Sequence, residues 1–201
     1  GTVAASHFTS FDVRGFTVRL APALHDEGDQ LDLGMRTLDA LDRDLAATLE
    51  QVPESARAAL LAVTIFVGTS DPVAPCACYH PSAAWLKGNG YDPAKAKAVE
   101  ISSASTYLDW RRSQRSMLLH ELAHAYHDQV IGKQNKRIAA ALERVRHSGA
   151  YDRVLRWSGE TASHYALLNT DEYFAETTEA LFGVKDFYPF TRQELLQVDP
   201  E

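Results

Sequence analysis

The stretch "LLHELAHAYHDQ", residues 118–129, sets three histidines, a glutamate and an aspartate among Leu and Ala. Few segments constrain a fold more, because groups that are costly to bury must find compensation wherever this apolar segment packs. On an α-helix at 3.6 residues per turn, His120 and His124 project from nearly the same face, one turn apart, so two imidazoles can meet one metal ion. Glu121 is rotated by about 100° from His120, outside that ligand pair yet near a water on the ion, which is where a general base stands.

This His-Glu-x-x-His spacing is the zinc pattern of metallopeptidases, and it is complete only with a third protein ligand and an open position. The metzincin pattern asks for Gly three residues and His six residues after the second histidine. Those positions hold His127 and Val130, which excludes it. A glutamate-liganded site takes its third ligand from a later helix instead, and residues 165–176 read "YALLNTDEYFAE". Glu172 and Glu176 are four apart and share a helix face, so one can bind zinc while the other hydrogen-bonds a ligand histidine.

Together, "HELAHAYHD" and "YALLNTDEYFAE" resemble the active site of the gluzincin metallopeptidases, the catalytic domain of anthrax lethal factor in particular. The resemblance runs from about Val99 to Gly183, less than half of the chain. It implies Glu172 as the third ligand beside His120 and His124, Glu176 as the carboxylate behind a ligand histidine, and Tyr165 as the tyrosine facing the reacting oxygen. It also implies an α+β, zincin-like fold in which a small mixed sheet packs on the HExxH helix and further helices follow towards the C-terminus. One Zn2+ per chain and hydrolysis of a peptide or protein substrate complete the expectation.

Around this centre, Asp128 follows His124 by four, where it orients that histidine or caps an exposed turn. His127 lies about 10 Å from His120 along the helix axis, too far to share an ion, and reads as a surface or supporting group. His80 and His164 read as loop histidines, with substrate contact as the sharper alternative. The strand "AVEIS" just before the helix offers an edge to which an extended substrate adds, which favours an endopeptidase. Two other classes stay open: an inactive zinc-binding interaction module, and a zinc hydrolase acting on a non-peptide amide or ester.

A chain of 201 residues suits one domain, with an α/β part over about 1–108 and a mainly helical part over about 109–201. Its net charge of −7 works against nucleic acid as a partner. No apolar run reaches the ~18 to 20 residues of a membrane span. The opening "GTVAASHFTS" lacks the basic head and apolar run of a secretory signal, which a trimmed chain would have lost. An extracytoplasmic setting suits a peptidase, while Cys76 and Cys78 fit either compartment, as a strained disulfide or as two free thiols. A structural zinc site from Cys76, Cys78 and His80 would lack a fourth ligand. Oligomeric state is left open.

Periodicity predicts a strand in "GFTVRLAPAL" and an amphipathic helix on Leu31, Leu38, Leu41, Leu45, Leu49 and Val52, stopped by Pro53. Strands follow in "AVTIFVG" and "KAVEISSAS", separated by an irregular stretch from Ser70 to Ala94 that carries Pro72, Pro75 and Pro81. One long helix is expected over 108–132, closing at Gly132, and others over 133–149 and 171–183. Thr191 and Glu194 have the spacing of a capping box.

Overall fold

Strand formation begins where period-2 alternation meets a tight turn. In the computed structural model, which describes residues 3–26, 28–70 and 76–200, β1 (Thr9–Val13) and β2 (Phe16–Leu20) pair antiparallel through Arg14 and Gly15, at φ 56° and 86°. Two consecutive positive φ values are the signature of a tight hairpin turn. Phe16, Val18 and Leu20 point inward, whereas β1 is largely polar and exposed, which is why periodicity finds β2 and misses β1.

The described residues form an α+β chain with a mixed sheet and eight α-helices. They divide into two compact units, Gly1–Arg112 and Ser113–Glu201. In the first unit the sheet order is β1-β2-β3-β5-β4, with β3 (Ile65–Val67), β4 (Ala77–Tyr79) and β5 (Val99–Ile101). The β2, β3 and β5 strands run parallel, and β4 returns antiparallel on β5. All residues of β3 and β5 are buried, as strands inside a parallel sheet should be, and β5 carries one charged residue, Glu100, among them.

The position of β5 corrects one expectation. The strand of "AVEIS" is hydrogen-bonded to β3 on one side and β4 on the other, so it offers no free edge to a substrate. Nor does it lead directly into the histidine helix. Ser103 caps α4 (Ala104–Trp110), and a turn follows before α5 (Met117–Tyr126), so the single helix expected over 108–132 is two helices.

Helix α1 (Leu31–Gln51) ends before Pro53 as its sequence predicts, and α2 (Glu54–Leu61) follows at once. Its buried face, however, is Gly34, Thr37, Ala40, Leu41, Leu45 and Thr48, rotated from the expected leucine stripe. Small residues win because the chain packs closely there: a Cβ on Gly34 would stand 1.7 Å from the Leu24 carbonyl oxygen. Thr37 and Thr48 satisfy their buried hydroxyls on the carbonyls of Leu33 and Asp44, at 2.7 and 2.9 Å. Arg111 and Tyr107 both donate to Asp44, which ties α4 to α1.

The irregular stretch proves partly regular. Pro72 and Pro75 lie outside the described residues, but β4 and α3 (Ala83–Gly88) form within its later part. Cys76, buried, and Cys78, half-buried, are not joined by a disulfide.

The second unit carries α5, a π-helical turn His127–Ile131 closed by Gly132 at φ 87°, and α6 (Lys136–Ser148) between an Asn135 cap and Gly149 at φ 67°. A two-stranded hairpin of β6 (Val154–Leu155) and β7 (Thr161–Ala162) leads to α7 (Thr170–Phe182) and α8 (Arg192–Val198). The capping box at Thr191 and Glu194 is formed. Ala141, Leu142, Val145, Tyr151, Val154, Ala166 and Tyr173 make one core of this unit. No helix among the described residues is long and apolar enough to cross a membrane.

Gly34→Ala should lower stability by about 1 to 3 kcal/mol, since the added methyl forces backbone to move. Denaturant unfolding checks this, and an unchanged midpoint would mean that the close approach to Leu24 is not held.

Candidate metal centre

Two helices of the second unit position the site. The burial pattern of α5 keeps Leu118, Leu119, Leu122, Ala123 and Ala125 from solvent and leaves His120, Glu121 and His124 on its partly exposed face. Helix α7 begins where Asn169 accepts the backbone N–H of Glu172 at 2.9 Å. This cap fixes the first turn of α7 and so the height at which Glu172 meets the histidines.

Three atoms converge there. His120 Nε2 and His124 Nε2 are 3.0 Å apart. Glu172 Oε2 lies 3.2 Å from the first and 3.4 Å from the second. All three side chains are about one-seventh exposed, at 14, 14 and 16 %. Burial alone would raise the Glu172 carboxyl, yet the two imidazoles hold it down at about 2. Its Oε2 is nonetheless buried without a properly directed hydrogen bond. Among the described residues, the groups of three His, Cys, Asp or Glu close enough to share an ion are this one and His120 with Glu176 and Glu179. Cys76, Cys78 and His80 do not form one.

Behind His120 the arrangement differs from the sequence expectation. Its Nδ1 is 3.0 Å from Glu179 Oε2 and 3.8 Å from Glu176 Oε1, so Glu179 is the carboxylate that orients it. Glu179 escapes the motif, but it follows Glu172 by seven and thus shares its face, a signal legible at helical spacing. Burial pushes its carboxyl up to about 6 against the pull of His120. For His120, burial lowers the pKa but the charge of Glu179 and its neighbours outweighs it, and the imidazole is raised well above its usual range.

Glu176 is committed elsewhere. The buried Lys185 ammonium donates to its Oε2 and lies 2.8 Å from His164 Nε2. His164 is therefore not a surface histidine: it is buried, stacked on Tyr151 with centroids 4.3 Å apart, and accepts the Ala166 N–H at 2.9 Å. Burial and the Lys185 charge depress it to about 2, so it is neutral. Two further histidines are corrected in the same way. His127 is 1 % exposed, packed 5.0 Å from the Phe174 ring, with Nδ1 3.1 Å from Asp171. His80, in the first unit, is buried with Nε2 2.7 Å from Glu100 Oε2.

Tyr165 sits in the short 3-10 turn Tyr165–Leu167 before α7 and is 48 % exposed, so it does not serve as core packing. Burial of part of the ring and the charge of Glu172 raise its phenol, with smaller effects of His120, Glu176 and Glu121. Glu121 is partly exposed beside His120. Asp128 falls in the π-helical turn, where its charge acts on His127.

Asn169→Ala should cost about 0.5 to 2 kcal/mol by removing the cap under Glu172. The denaturation midpoint reads this directly, and no change would show that the cap is idle. Compared with known proteins, the chain matches no family model, no curated sequence and no solved structure.

Proposed function

We propose that the chain is a zinc-dependent peptidase of zincin-like fold, with one Zn2+ held by His120, His124 and Glu172. The observation that carries this is the triangle of donor atoms with edges of 3.0, 3.2 and 3.4 Å. Bonds of 2.0–2.2 Å in tetrahedral geometry give edges of about 3.3 Å, so the three atoms suit a common ion without rearrangement. A metal ion shared among the three donor atoms offsets their mutual repulsion, as a proton on His120 does in its absence. The unpaired Oε2 of Glu172 is the atom that such a cation would satisfy.

Bound there, zinc supplies a Lewis acid that lowers the pKa of a water ligand to about 7 and polarises a carbonyl. The remaining chemistry falls to the chain's own residues. Glu121 takes a proton from the attacking water and delivers it to the leaving amine. Tyr165, about half exposed, donates its hydroxyl to the oxygen that gains negative charge at the scissile carbonyl. Glu179 accepts the His120 Nδ1–H, which fixes the tautomer and turns Nε2 towards the ligand cluster.

Incubating a diverse peptide library with the zinc-loaded chain, and with Glu121→Gln, tests the reading by mass spectrometry. Cleavages made only by the wild type support a peptidase. Absence of cleavage by a chain that holds zinc would move the weight to a binding module or to a non-peptide hydrolase.

Glu121→Gln should retain zinc and lose about 10²- to 10⁴-fold in turnover. Tyr165→Phe should lower turnover at unchanged zinc affinity, whereas Glu172→Ala should weaken zinc binding itself in a chelator competition. Wild-type affinity in Glu172→Ala would remove it from the ligand set.

A further inference from the structure

Two buried carboxylates, Glu176 and Glu179, face one imidazole nitrogen. Glu179 Oε2 is 3.0 Å and Glu176 Oε1 3.8 Å from His120 Nδ1. A single N–H cannot serve both, and an uncompensated carboxylate beside a ligand histidine would draw it away from Glu179. Lys185 resolves the competition. Its side chain is 1 % exposed, and its ammonium binds Glu176 Oε2 while resting 2.8 Å from His164 Nε2.

Backbone bonds hold Lys185 in this inward pose. Ser116, at the start of α5, donates its hydroxyl to the Val184 carbonyl at 2.8 Å and accepts the Val184 N–H at 3.0 Å. A Cβ on Gly183 would stand 2.4 Å from that hydroxyl oxygen, so the approach depends on glycine. On the other side, the Trp157 N–H donates to the Asp186 carbonyl at 2.9 Å and the Tyr188 N–H to the Leu155 carbonyl at 2.8 Å. The segment after α7 is thus strapped to the start of the histidine helix and to β6, with the ammonium aimed at α7.

We propose that Lys185 is a positioning residue of the metal centre, which, by holding Glu176, leaves His120 Nδ1 to Glu179 and keeps Nε2 aimed at His124 and Glu172. This rests on the zinc reading above. The lysine acts through Glu176, to which it is bonded, and its charge also reaches Glu179.

The test measures zinc affinity of the whole chain by competition with a chromophoric chelator, with far-UV circular dichroism as the check on folding. Lys185→Met should weaken binding 10- to 100-fold, the usual effect of removing support behind a ligand. Lys185→Met combined with Glu176→Gln should recover most of that loss, because no unpaired carboxylate then competes for His120. In nitrogen NMR of the zinc-free chain, the His120 ring signals should move in the single variant and return in the double. A lysine that merely packs predicts a double variant no better than the single one. That result, wild-type affinity in Lys185→Met, or a double variant that fails to fold overturns the proposal. If Lys185→Met alone does not fold, a folded double variant with near wild-type affinity supports it, and one bound 10- to 100-fold more weakly overturns it. A wild type that binds no zinc, or binds it equally well as His120→Ala, overturns the metal centre and this inference with it.

Discussion

The contact between the imidazoles of α5 and the carboxylates of α7 is the constraint on which the second unit depends. Glu172, Glu176 and Glu179 recur at helical spacing, so one face of α7 carries three negative charges with little access to water. Burying such charges costs several kcal/mol per ion unless partners are close and well directed. His120, His124 and Lys185 are those partners. Glu172 faces the imidazole Nε2 atoms, Glu179 the Nδ1 of His120, and Glu176 the ammonium. The division of labour is what leaves one carboxylate oxygen unpaired at the point where three donors meet.

A comparable device appears in the first unit. Glu100, in the middle of the fully buried β5, accepts from Lys95 and stands 2.7 Å from His80 Nε2, while in the second unit Lys185 stands between Glu176 and His164. Such buried clusters are poor sources of net stability, but removing one member strands a charge, so the remaining groups are held in one arrangement. In β5 the cluster sits within a sheet. On α7 it stands directly behind His120, and there the same chemistry bears on the candidate site.

Local patterns made much of the framework legible. Gly132 and Gly149 end helical segments at positive φ, Pro53 stops α1, and Thr191 and Glu194 form their box, because each depends on neighbours in sequence. The short strands β1, β4, β6 and β7 and the helices α2 and α3 left weak signals, being too brief or too polar for periodicity to register. The rotated face of α1 escaped for another reason: leucines mark hydrophobicity, whereas Gly34, Thr37 and Ala40 mark closeness, and only packing reveals which of the two decides.

The spacing of His120, Glu121 and His124, and of Glu172 with Glu176, was determined by the sequence itself, since helical geometry converts intervals of one and four residues into directions in space. Which carboxylate meets which nitrogen was decided only by tertiary structure. Glu176 and Glu179 are chemically identical and both lie on the inner face of α7, so their roles turn on a residue of neither motif, Lys185, brought in by the backbone bonds of Val184 with Ser116. The same holds for His127, His164 and His80, whose burial comes from contacts distant in sequence and leaves no mark at short range.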